Sequence, residues 1–168
     1  MKIKKLYLLF GLPLIAFNVS VRGQPVDGKA YPGALCQSET NTQSILRNTK
    51  GIMLNTGTDP QTWICPIVRD RESTSLRSAF IVVRDKNATA GDPNAEISCT
   101  LFSRMPTGEL VDMATQVTTP GNPGIVELQY QNINSQMGDG PYYFRCTIPG
   151  TFQGLRSGVL DYRITENL

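Results

Sequence analysis

The feature that most constrains this sequence is a series of short runs in which apolar and polar residues alternate. For example, Ile97, Cys99 and Leu101 share one side of an extended chain, and the polar residues between them share the other. This half-buried pattern is typical of antiparallel sheets. No stretch keeps the helical period for long enough to predict a helix. The pattern therefore predicts an all-β fold.

Eight such runs can be recognised beyond residue 50. They are residues 51–55, 62–68, 78–84, 96–103, 109–118, 124–131, 142–148 and 158–165. Turn sequences rich in Gly, Pro, Asn and Asp separate them. Strands at this spacing predict a single antiparallel β-sandwich over residues 50–168, and a jelly roll is one topology that fits. A domain of this length buries about two-thirds of its unfolded surface, so no second domain is required.

The first 23 residues have the organisation of a secretory signal peptide. A basic start precedes the apolar run 6–19, and Val21-Arg22-Gly23 supplies a cleavage site. The run is shorter than the roughly 20 apolar residues that a spanning helix needs. We therefore expect cleavage after Gly23 and a secreted or periplasmic protein without a membrane span. The remaining chain has no basic block, which argues against binding to nucleic acid.

Residues 24–49 differ in composition from the rest of the chain. Residues 24–33 are rich in Pro and Gly, and residues 37–47 are rich in Ser, Thr, Asn and Gln. This composition predicts an irregular N-terminal arm, in which residues 44–47 are a candidate for a short helical turn. A disulfide at Cys36 would tether the arm to the sandwich.

Export makes the four cysteines candidates for two disulfides. Cys99 and Cys146 both lie on the apolar sides of alternating runs, so they should face the same core. We therefore predict the bond Cys99–Cys146 and, by consequence, the bond Cys36–Cys65. The main rival pairing joins Cys65 to Cys146 and leaves Cys36 with Cys99.

A set of short motifs punctuates the chain beyond the signal peptide. They are Tyr31-Pro32-Gly33 ahead of Cys36, WICPIVRD at 63–70, SCTL at 98–101, YFRCTIP at 143–149 and YRITE at 162–166. As a set they resemble a loose group of small exported bacterial proteins of unknown function. The resemblance covers most of the chain and implies a bacterial, extracytoplasmic β protein, but it brings no active site with it.

Several enzyme classes are excluded or weakened by the residues present. The chain contains no histidine, which excludes His-dependent triads and His metal sites. Neither G-x-S-x-G nor S-x-x-K occurs. Five loop acids could supply a carboxylate pair of the glycosidase type. They are Asp59, Asp70, Glu72, Asp85 and Asp92. Since nothing in the sequence brings two of them together, we expect no catalytic residue, and a small hydrolase is the least favoured alternative.

Calcium is the one metal for which the sequence offers ligands. The hard oxygen donors are Asp85, Asn87, Asp92 and Asn94, all in one predicted loop region. Their spacing does not match an EF-hand, and Asn-rich and Asp-Pro turns form without an ion. We therefore expect no cofactor and no bound metal.

Binding residues are the remaining candidates for function. Tyr143 and Arg145 are predicted on the outer face of one strand, where a ring beside an arginine can stack on a sugar or anchor a protein. Trp63 is a weaker ligand candidate, because it shares a face with Cys65 and Ile67, which favours packing on a disulfide. We predict a non-enzymatic module that binds a glycan or a protein at the bacterial cell envelope.

The alternative function is a structural or assembly subunit of the envelope. Such a subunit would add its N-terminal arm or an edge strand to the sheet of a neighbour. An exposed aromatic row on one sheet face would favour glycan binding. A free, flat edge strand beside an unpaired arm would favour assembly. The oligomeric state is left open.

Overall fold

The computed structural model describes residues 26–40, 45–48, 50–70, 76–87, 95–119, 121–131, 133 and 140–167. The predicted signal peptide, residues 1–23, lies outside these ranges. The strands are β1 Val26–Pro32, β2 Gln37–Ser38, β3 Ile45–Arg47, β4 Met53–Asn55, β5 Gln61–Ile67, β6 Leu76–Asp85, β7 Ser98–Arg104, β8 Leu110–Val117, β9 Gly124–Gln131, β10 Tyr142–Ile148 and β11 Gly158–Asn167. The predicted all-β class is confirmed.

Two antiparallel sheets pack against each other as a sandwich. The six-stranded sheet has the order β3-β4-β11-β6-β9, with β1 also paired to β11, and the five-stranded sheet has the order β2-β5-β10-β7-β8. The strands from β4 to β11 form the orders β4-β11-β6-β9 and β5-β10-β7-β8, which is the strand arrangement of a jelly roll. No helix among the described residues has the length and apolar character needed to cross a membrane.

Burial follows the predicted alternation along the strands. Every second residue of β10, from Tyr142 to Ile148, is buried, and the residues between them are half-buried or exposed. Trp63, on the neighbouring strand β5, is completely buried. The Phe144 ring lies between Tyr130 and Tyr162, with centroid distances of 5.3 Å and 5.9 Å. The core is therefore built from aromatic and aliphatic side chains of both sheets.

Two disulfides join neighbouring strands of the five-stranded sheet. Cys99 of β7 and Cys146 of β10 are direct cross-strand partners with Cα atoms 4.0 Å apart. Cys36, immediately before β2, is bonded to Cys65 of β5, also with Cα atoms 4.0 Å apart. These are the predicted pairs, and the rival pairing is not present. No cysteine is free.

The N-terminal arm is more regular than predicted. A seven-residue strand, β1, pairs with β11 along its whole length, and β2 and β3 add short strands to the two sheets. Residues 45–47, expected in a helical turn, form β3. The Pro and Gly content misled the prediction, because Pro32 is the last residue of β1 and Gly33 packs directly against the backbone of β11. A Cβ on Gly33 would lie 2.3 Å from the carbonyl oxygen of Val159, so this close approach requires glycine.

Candidate ligand-binding face

Four side chains form a continuous row across the outer face of the five-stranded sheet. The strand register places Pro66 of β5 opposite Tyr143 of β10, Tyr143 opposite Phe102 of β7, and Phe102 opposite Met113 of β8. These four residues are called the aromatic row below. They point away from the core, because the residues that alternate with them along β5, β7 and β10 are the buried ones.

The two rings in the aromatic row lie against each other. Their centroids are 5.1 Å apart and their planes differ by 17°, which is an offset stack. Both rings are half-buried, and Met113 beside them is 55% exposed. The row therefore presents a partly exposed apolar strip that runs across four strands.

Arg104, the last residue of β7, is held beside the aromatic row by two hydrogen bonds. Its Nε donates to the hydroxyl of Tyr143 at 2.7 Å, and its Nη1 donates to the carbonyl of Gly108 at 2.6 Å. Its guanidinium carbon lies 5.6 Å from the Phe102 ring centroid and 5.9 Å from that of Tyr143. The charge is thereby fixed alongside the two rings in the middle of the aromatic strip.

The backbone next to Arg104 depends on a close approach of the chain that leads into β10. A Cβ on Gly140 would lie 1.4 Å from the carbonyl oxygen of Arg104, and the Arg104 N–H donates to the carbonyl of Pro141 at 3.1 Å. Only glycine fits at position 140 without moving this segment. The position of Arg104 is thus set by packing as well as by its own hydrogen bonds.

A second, mostly polar row runs parallel to the aromatic row. Its members, from β2 to β8, are Gln37, Ile64, Arg145, Thr100 and Thr115. The hydroxyls of the two threonines are 2.8 Å apart. Arg145 binds Glu39 with both nitrogens of its fork, at 2.8 Å and 2.9 Å. This row places several hydrogen-bonding groups next to the apolar strip.

The Arg145–Glu39 pair is ionised on both sides. The hydrogen bond from Arg145 holds the pKa of the Glu39 carboxyl below its usual range, against a smaller effect of burial. The same hydrogen bond raises the pKa of Arg145. A bidentate pair of this kind carries no net charge but keeps free lone pairs and N–H groups at its rim. It can therefore exchange hydrogen bonds with the hydroxyls of a ligand.

The structure separates the three predicted ligand residues. Tyr143 and Arg145 lie on the outer face, as predicted, with Tyr143 half-buried and the Arg145 side chain 47% exposed. Trp63 is 0% exposed, because alternation on β5 directs its ring into the core together with Cys65, which is the placement that the sequence favoured. As a weak ligand candidate, it therefore takes no part in the outer face.

The three loop acids that the structure describes, Asp59, Asp70 and Asp85, do not assemble into an exposed pair. Asp85 lies beside Ser157 at the start of β11, whereas Asp70 lies beside Glu166 at the end of that strand. At about 3.3 Å per residue, the 10-residue strand separates them by roughly 30 Å. Asp59 is exposed in the turn before β5. Glu72 and Asp92 lie outside the described residues.

The carboxylates of Asp70 and Glu166 lie close together, and although Asp70 is exposed, Glu166 is closed to substrate. Glu166 and Asp70 both bind the Lys29 Nζ, at 2.6 Å and 3.1 Å, and Arg69 binds Glu166 at 3.0 Å. Although burial alone would raise the pKa of Glu166, the hydrogen bonds from Lys29 and Arg69 hold it below its usual range. The Glu166 side chain is only 1% exposed. A glycosidic acid must be protonated and reachable, so this cluster is structural.

The proposed calcium ligands are already used within the protein or lie outside its described part. Buried Asp85 accepts hydrogen bonds from the Thr118 hydroxyl, the Ser157 hydroxyl and the Asn87 N–H. Asp92 and Asn94 are outside the described residues. Across the described ranges, no group of three or more His, Cys, Asp and Glu side chains could hold a metal ion.

The outer face of the six-stranded sheet carries a shallow depression of about 230 Å³. Gly28 and Ala30 of β1 form its floor, with Phe80 and Arg163 at its side. The Arg163 guanidinium carbon lies 5.8 Å from the Phe80 ring centroid. Its nitrogens lie 2.5 Å from Glu127 and 3.5 Å from Asp161.

Sequence reasoning missed four residues of the five-stranded face. Phe102 alternates with Cys99 and Leu101, so its outward direction could have been read from the sequence. Arg104 lies one residue beyond the predicted end of its strand. Met113 and Glu39 join the face through strand register and through β2, and neither is visible in a single sequence.

No protein-family model matches this sequence, and no curated protein is significantly similar to it. Several solved structures share its general architecture. A xylan-binding module, CBM15, aligns with a TM-score of 0.44 and 16% identity over 86% of this chain and 97% of the module. An exo-β-1,3-galactanase from Phanerochaete chrysosporium aligns with a TM-score of 0.45 and 14% identity over 83% of this chain and 29% of the enzyme.

A carbohydrate esterase of family two from Cellvibrio japonicus aligns with a TM-score of 0.43 and 5% identity. The alignment covers 87% of this chain and 36% of the esterase. The chain thus spans about a third of the two enzymes. Likenesses of this degree concern the β-sandwich architecture and say nothing about the ligand.

Proposed function

We propose that this protein is a non-enzymatic module of the bacterial cell envelope that binds a glycan through the outer face of its five-stranded sheet. The aromatic row is the observation that carries the proposal. An apolar strip with two half-buried rings, lined by a row of hydrogen-bonding side chains, matches the two kinds of surface that a sugar presents. Sugar C–H groups pack on aromatic rings, and sugar hydroxyls bind polar side chains.

The size and chemistry of the strip favour a sugar chain over a protein as the ligand. Specific protein partners need about 800 Å² of surface on each side with a well-packed apolar centre. Here the apolar part is a single row one residue wide, and polar side chains of the second row lie directly beside it. A narrow strip bordered by polar groups suits an extended chain of sugar rings.

The cellular location rests on the cysteines together with the first residues of the sequence. Two disulfides without a free cysteine fit an oxidising compartment such as the periplasm or the cell exterior. The signal-peptide organisation of residues 1–23 supports export. Both features support a location in which the binding face would meet envelope glycans.

Binding without hydrolysis is supported by the arrangement of the acids. Glu166 is buried and held by cations, so the pair that it forms with the exposed Asp70 offers a substrate one carboxylate and not two. Asp85 is buried at the other end of β11. On the five-stranded face, the carboxylate of Glu39 is engaged by Arg145. Among these described acids, no two therefore form the accessible pair that a glycosidase needs.

The test is a glycan array followed by calorimetric titration of the protein that begins at Gln24. We expect binding to envelope polysaccharides, and we expect Tyr143→Ala to weaken it strongly. The matched control is Phe80→Ala, which removes a ring from the opposite face and should leave binding unchanged. Equal losses in the two variants, or no glycan bound by the wild-type protein, would contradict the proposal.

The assembly alternative makes a different prediction. β1 and β2 are each paired on one side within this chain, so neither is a free arm that could be donated to a neighbour. Strand addition would instead use the open side of an edge strand, and β8, with exposed Met113 and Val117, is the candidate that we test. Light scattering should show a monomer; a concentration-dependent polymer that Met113→Lys abolishes would favour assembly instead.

A further inference from the structure

We infer that the glycan bound by the five-stranded face is acidic, and that Arg104 binds the carboxylate of one of its sugar residues. This inference rests on the proposed function and names the ligand class of the same site. The argument begins from the charge of Arg104. None of the ion pairs among the described residues includes its guanidinium.

The donors of Arg104 are only partly used. A guanidinium has five N–H groups, and within the described chain one on Nε binds Tyr143 and one on Nη1 binds Gly108. Both acceptors are neutral. The Nη2 group and the second hydrogen of Nη1 form the end of the fork, which is the geometry that binds a carboxylate with two parallel hydrogen bonds.

Among the described residues, no other charge near the site pairs with Arg104. Glu39, on the same face, is engaged by both nitrogens of the Arg145 fork and forms a pair without net charge. Glu109 belongs to the hairpin that follows Arg104, and no ion pair of the described chain joins the two. Within this part of the chain, the positive charge beside the rings is therefore not used in an ion pair.

The position of this charge suits a uronic acid. The guanidinium carbon lies within 6 Å of both ring centroids, at 5.6 Å and 5.9 Å. A sugar ring that packs on the aromatic row can therefore place a carboxylate on its rim against the fork. The two hydrogen bonds that hold Arg104 fix the fork before the ligand arrives, which lowers the entropic cost of binding.

The opposite face provides a natural control. Arg163 lies 5.8 Å from the Phe80 ring centroid, so the pair of residue types is the same. Glu127 and Asp161 already neutralise this arginine, at 2.5 Å and 3.5 Å. Arg163→Gln should therefore leave the binding of an acidic glycan unchanged.

The experiment uses matched pairs of oligosaccharides that differ in charge. Hexagalacturonate is compared with its methyl ester, and a glucuronic-acid-substituted xylo-oligosaccharide is compared with xylohexaose, by calorimetry at two salt concentrations. A sulfated galactan oligosaccharide tests whether any anion suffices. We expect the carboxylated member of at least one pair to bind about 10-fold more tightly, because hydrogen bonds between charged groups are the strong ones.

Substitution of Arg104 then separates a binding role from a structural one. Arg104→Gln should abolish the preference for the carboxylated sugar and its dependence on salt, and Arg104→Lys should keep part of both. Binding to the neutral sugar should fall by a clearly smaller factor than binding to the carboxylated sugar, and the melting temperature should change little. A loss of neutral and acidic binding in equal measure would mean that Arg104 only holds the hairpin, and would overturn the inference.

Failure of the inference can be told apart from failure of the proposed function. Equal binding of neutral and acidic sugars that still depends on Tyr143 would overturn the inference and leave the glycan-binding function standing. A preference for sulfate over carboxylate would also overturn the assignment to a uronic acid. Absence of binding to every oligosaccharide would overturn both.

Discussion

The two outer faces of the sandwich use the same pair of residue types in different ways. On the six-stranded sheet, Arg163 lies over Phe80 and is neutralised by Glu127 and Asp161. On the five-stranded sheet, Arg104 lies near Phe102 and Tyr143 and is held by neutral acceptors. The number of carboxylates around each arginine is therefore the main chemical difference between the faces.

This difference teaches that an arginine beside an aromatic ring is not in itself a binding site. An arginine whose charge is neutralised within the protein gains little from an acidic ligand, because the ligand must compete with carboxylates that are already in place. An arginine with neutral partners keeps its charge available. The following predictions are ordered from the largest expected effect to the smallest.

Loss of the Cys99–Cys146 bond should have the largest effect, and it should destabilise both sheets together. The chain-entropy model gives about 4 kcal/mol for a loop of this length, and this effect acts on the unfolded chain as a whole. The Cys99→Ala/Cys146→Ala variant should therefore melt roughly 10 °C lower, and amide exchange should show comparable losses of protection in β7 and β10 and in β6 and β9. A loss confined to β7 and β10 would show that the bond acts locally on the five-stranded sheet.

The matched control is the Cys36→Ala/Cys65→Ala variant. This bond ties the segment before β2 to β5, at the edge of the same sheet. Its removal should mainly release the residues around β2, and the strands of the aromatic row should stay protected.

Substitution of Glu166 should destabilise both sheets together. Glu166 of β11 belongs to the six-stranded sheet, and it binds Arg69, which follows β5 of the five-stranded sheet. Glu166→Gln leaves Arg69 and Lys29 without their buried partner, so we expect a loss of about 3 kcal/mol in the free energy of unfolding. Chemical denaturation measures this loss, and a variant as stable as the wild type would contradict the structural role of the cluster.

The ion-pair cluster around Glu166 makes the stability of the fold depend on pH, and the direction of this dependence follows from the pKa shifts. Because the pKa of Glu166 is lowered in the folded protein, its contribution is complete above the unfolded pKa of about 4.3 and is lost as the pH falls through the lower folded value. The pKa of Lys29 is raised by hydrogen bonds to Glu166 and Asp70, although burial alone would lower it. Its contribution is lost as the pH rises through that raised value. Melting temperature should therefore fall in acid, and Glu166→Gln should flatten this fall.

Removal of one aromatic ring from either outer face should show, through glycan affinity, which face binds the ligand. Phe102→Ala takes away one member of the aromatic stack, and truncation of a central aromatic residue costs about 2 kcal/mol of binding free energy. Affinity for the glycan should fall about 30-fold, whereas Phe80→Ala should have no measurable effect. If Phe80→Ala is the more damaging change, the ligand lies on the six-stranded sheet.

The smallest expected effect is a gain of weak glycan binding on the six-stranded sheet. Removal of the carboxylates in the Glu127→Gln/Asp161→Asn variant leaves Arg163 with neutral partners and makes the second face resemble the first. Weak new binding of hexagalacturonate, of about 1 kcal/mol and therefore several-fold, should appear in a variant that also carries Phe102→Ala. Absence of any gain would mean that the depression has the wrong shape for a sugar, whatever its charge.

Much of the fold could be predicted from the sequence, because alternation and turn residues are local signals. The predicted run 142–148 coincides with β10, and both disulfides follow from the faces of Cys99 and Cys146. The strands of the arm were missed. β1 is an edge strand whose outward residues include Gly28 and Ala30, so it lacks the apolar alternation of a core strand.

The candidate site was predicted only in part, because it depends on register. Alternation gave the outward direction of Tyr143 and Arg145, but no local signal places Phe102 and Met113 in line with Tyr143. The charge state of the face likewise depends on which carboxylates reach each arginine. Such contacts join residues far apart in the chain, and they can be seen only when the strands are in place.

Both disulfides lie in the sheet that carries the aromatic row, and this has a mechanical consequence. A surface-bound ligand pulled by flow would load the five-stranded sheet in its own plane. Covalent bonds hold β7 to β10 and the segment beside β2 to β5, so neither pair can slide apart. Between β5 and β10 only hydrogen bonds and side-chain contacts resist shear, and the aromatic row crosses this junction at Pro66 and Tyr143. Under tension in the plane of the sheet, slippage would therefore be confined to the junctions without a disulfide, between β5 and β10 and between β7 and β8.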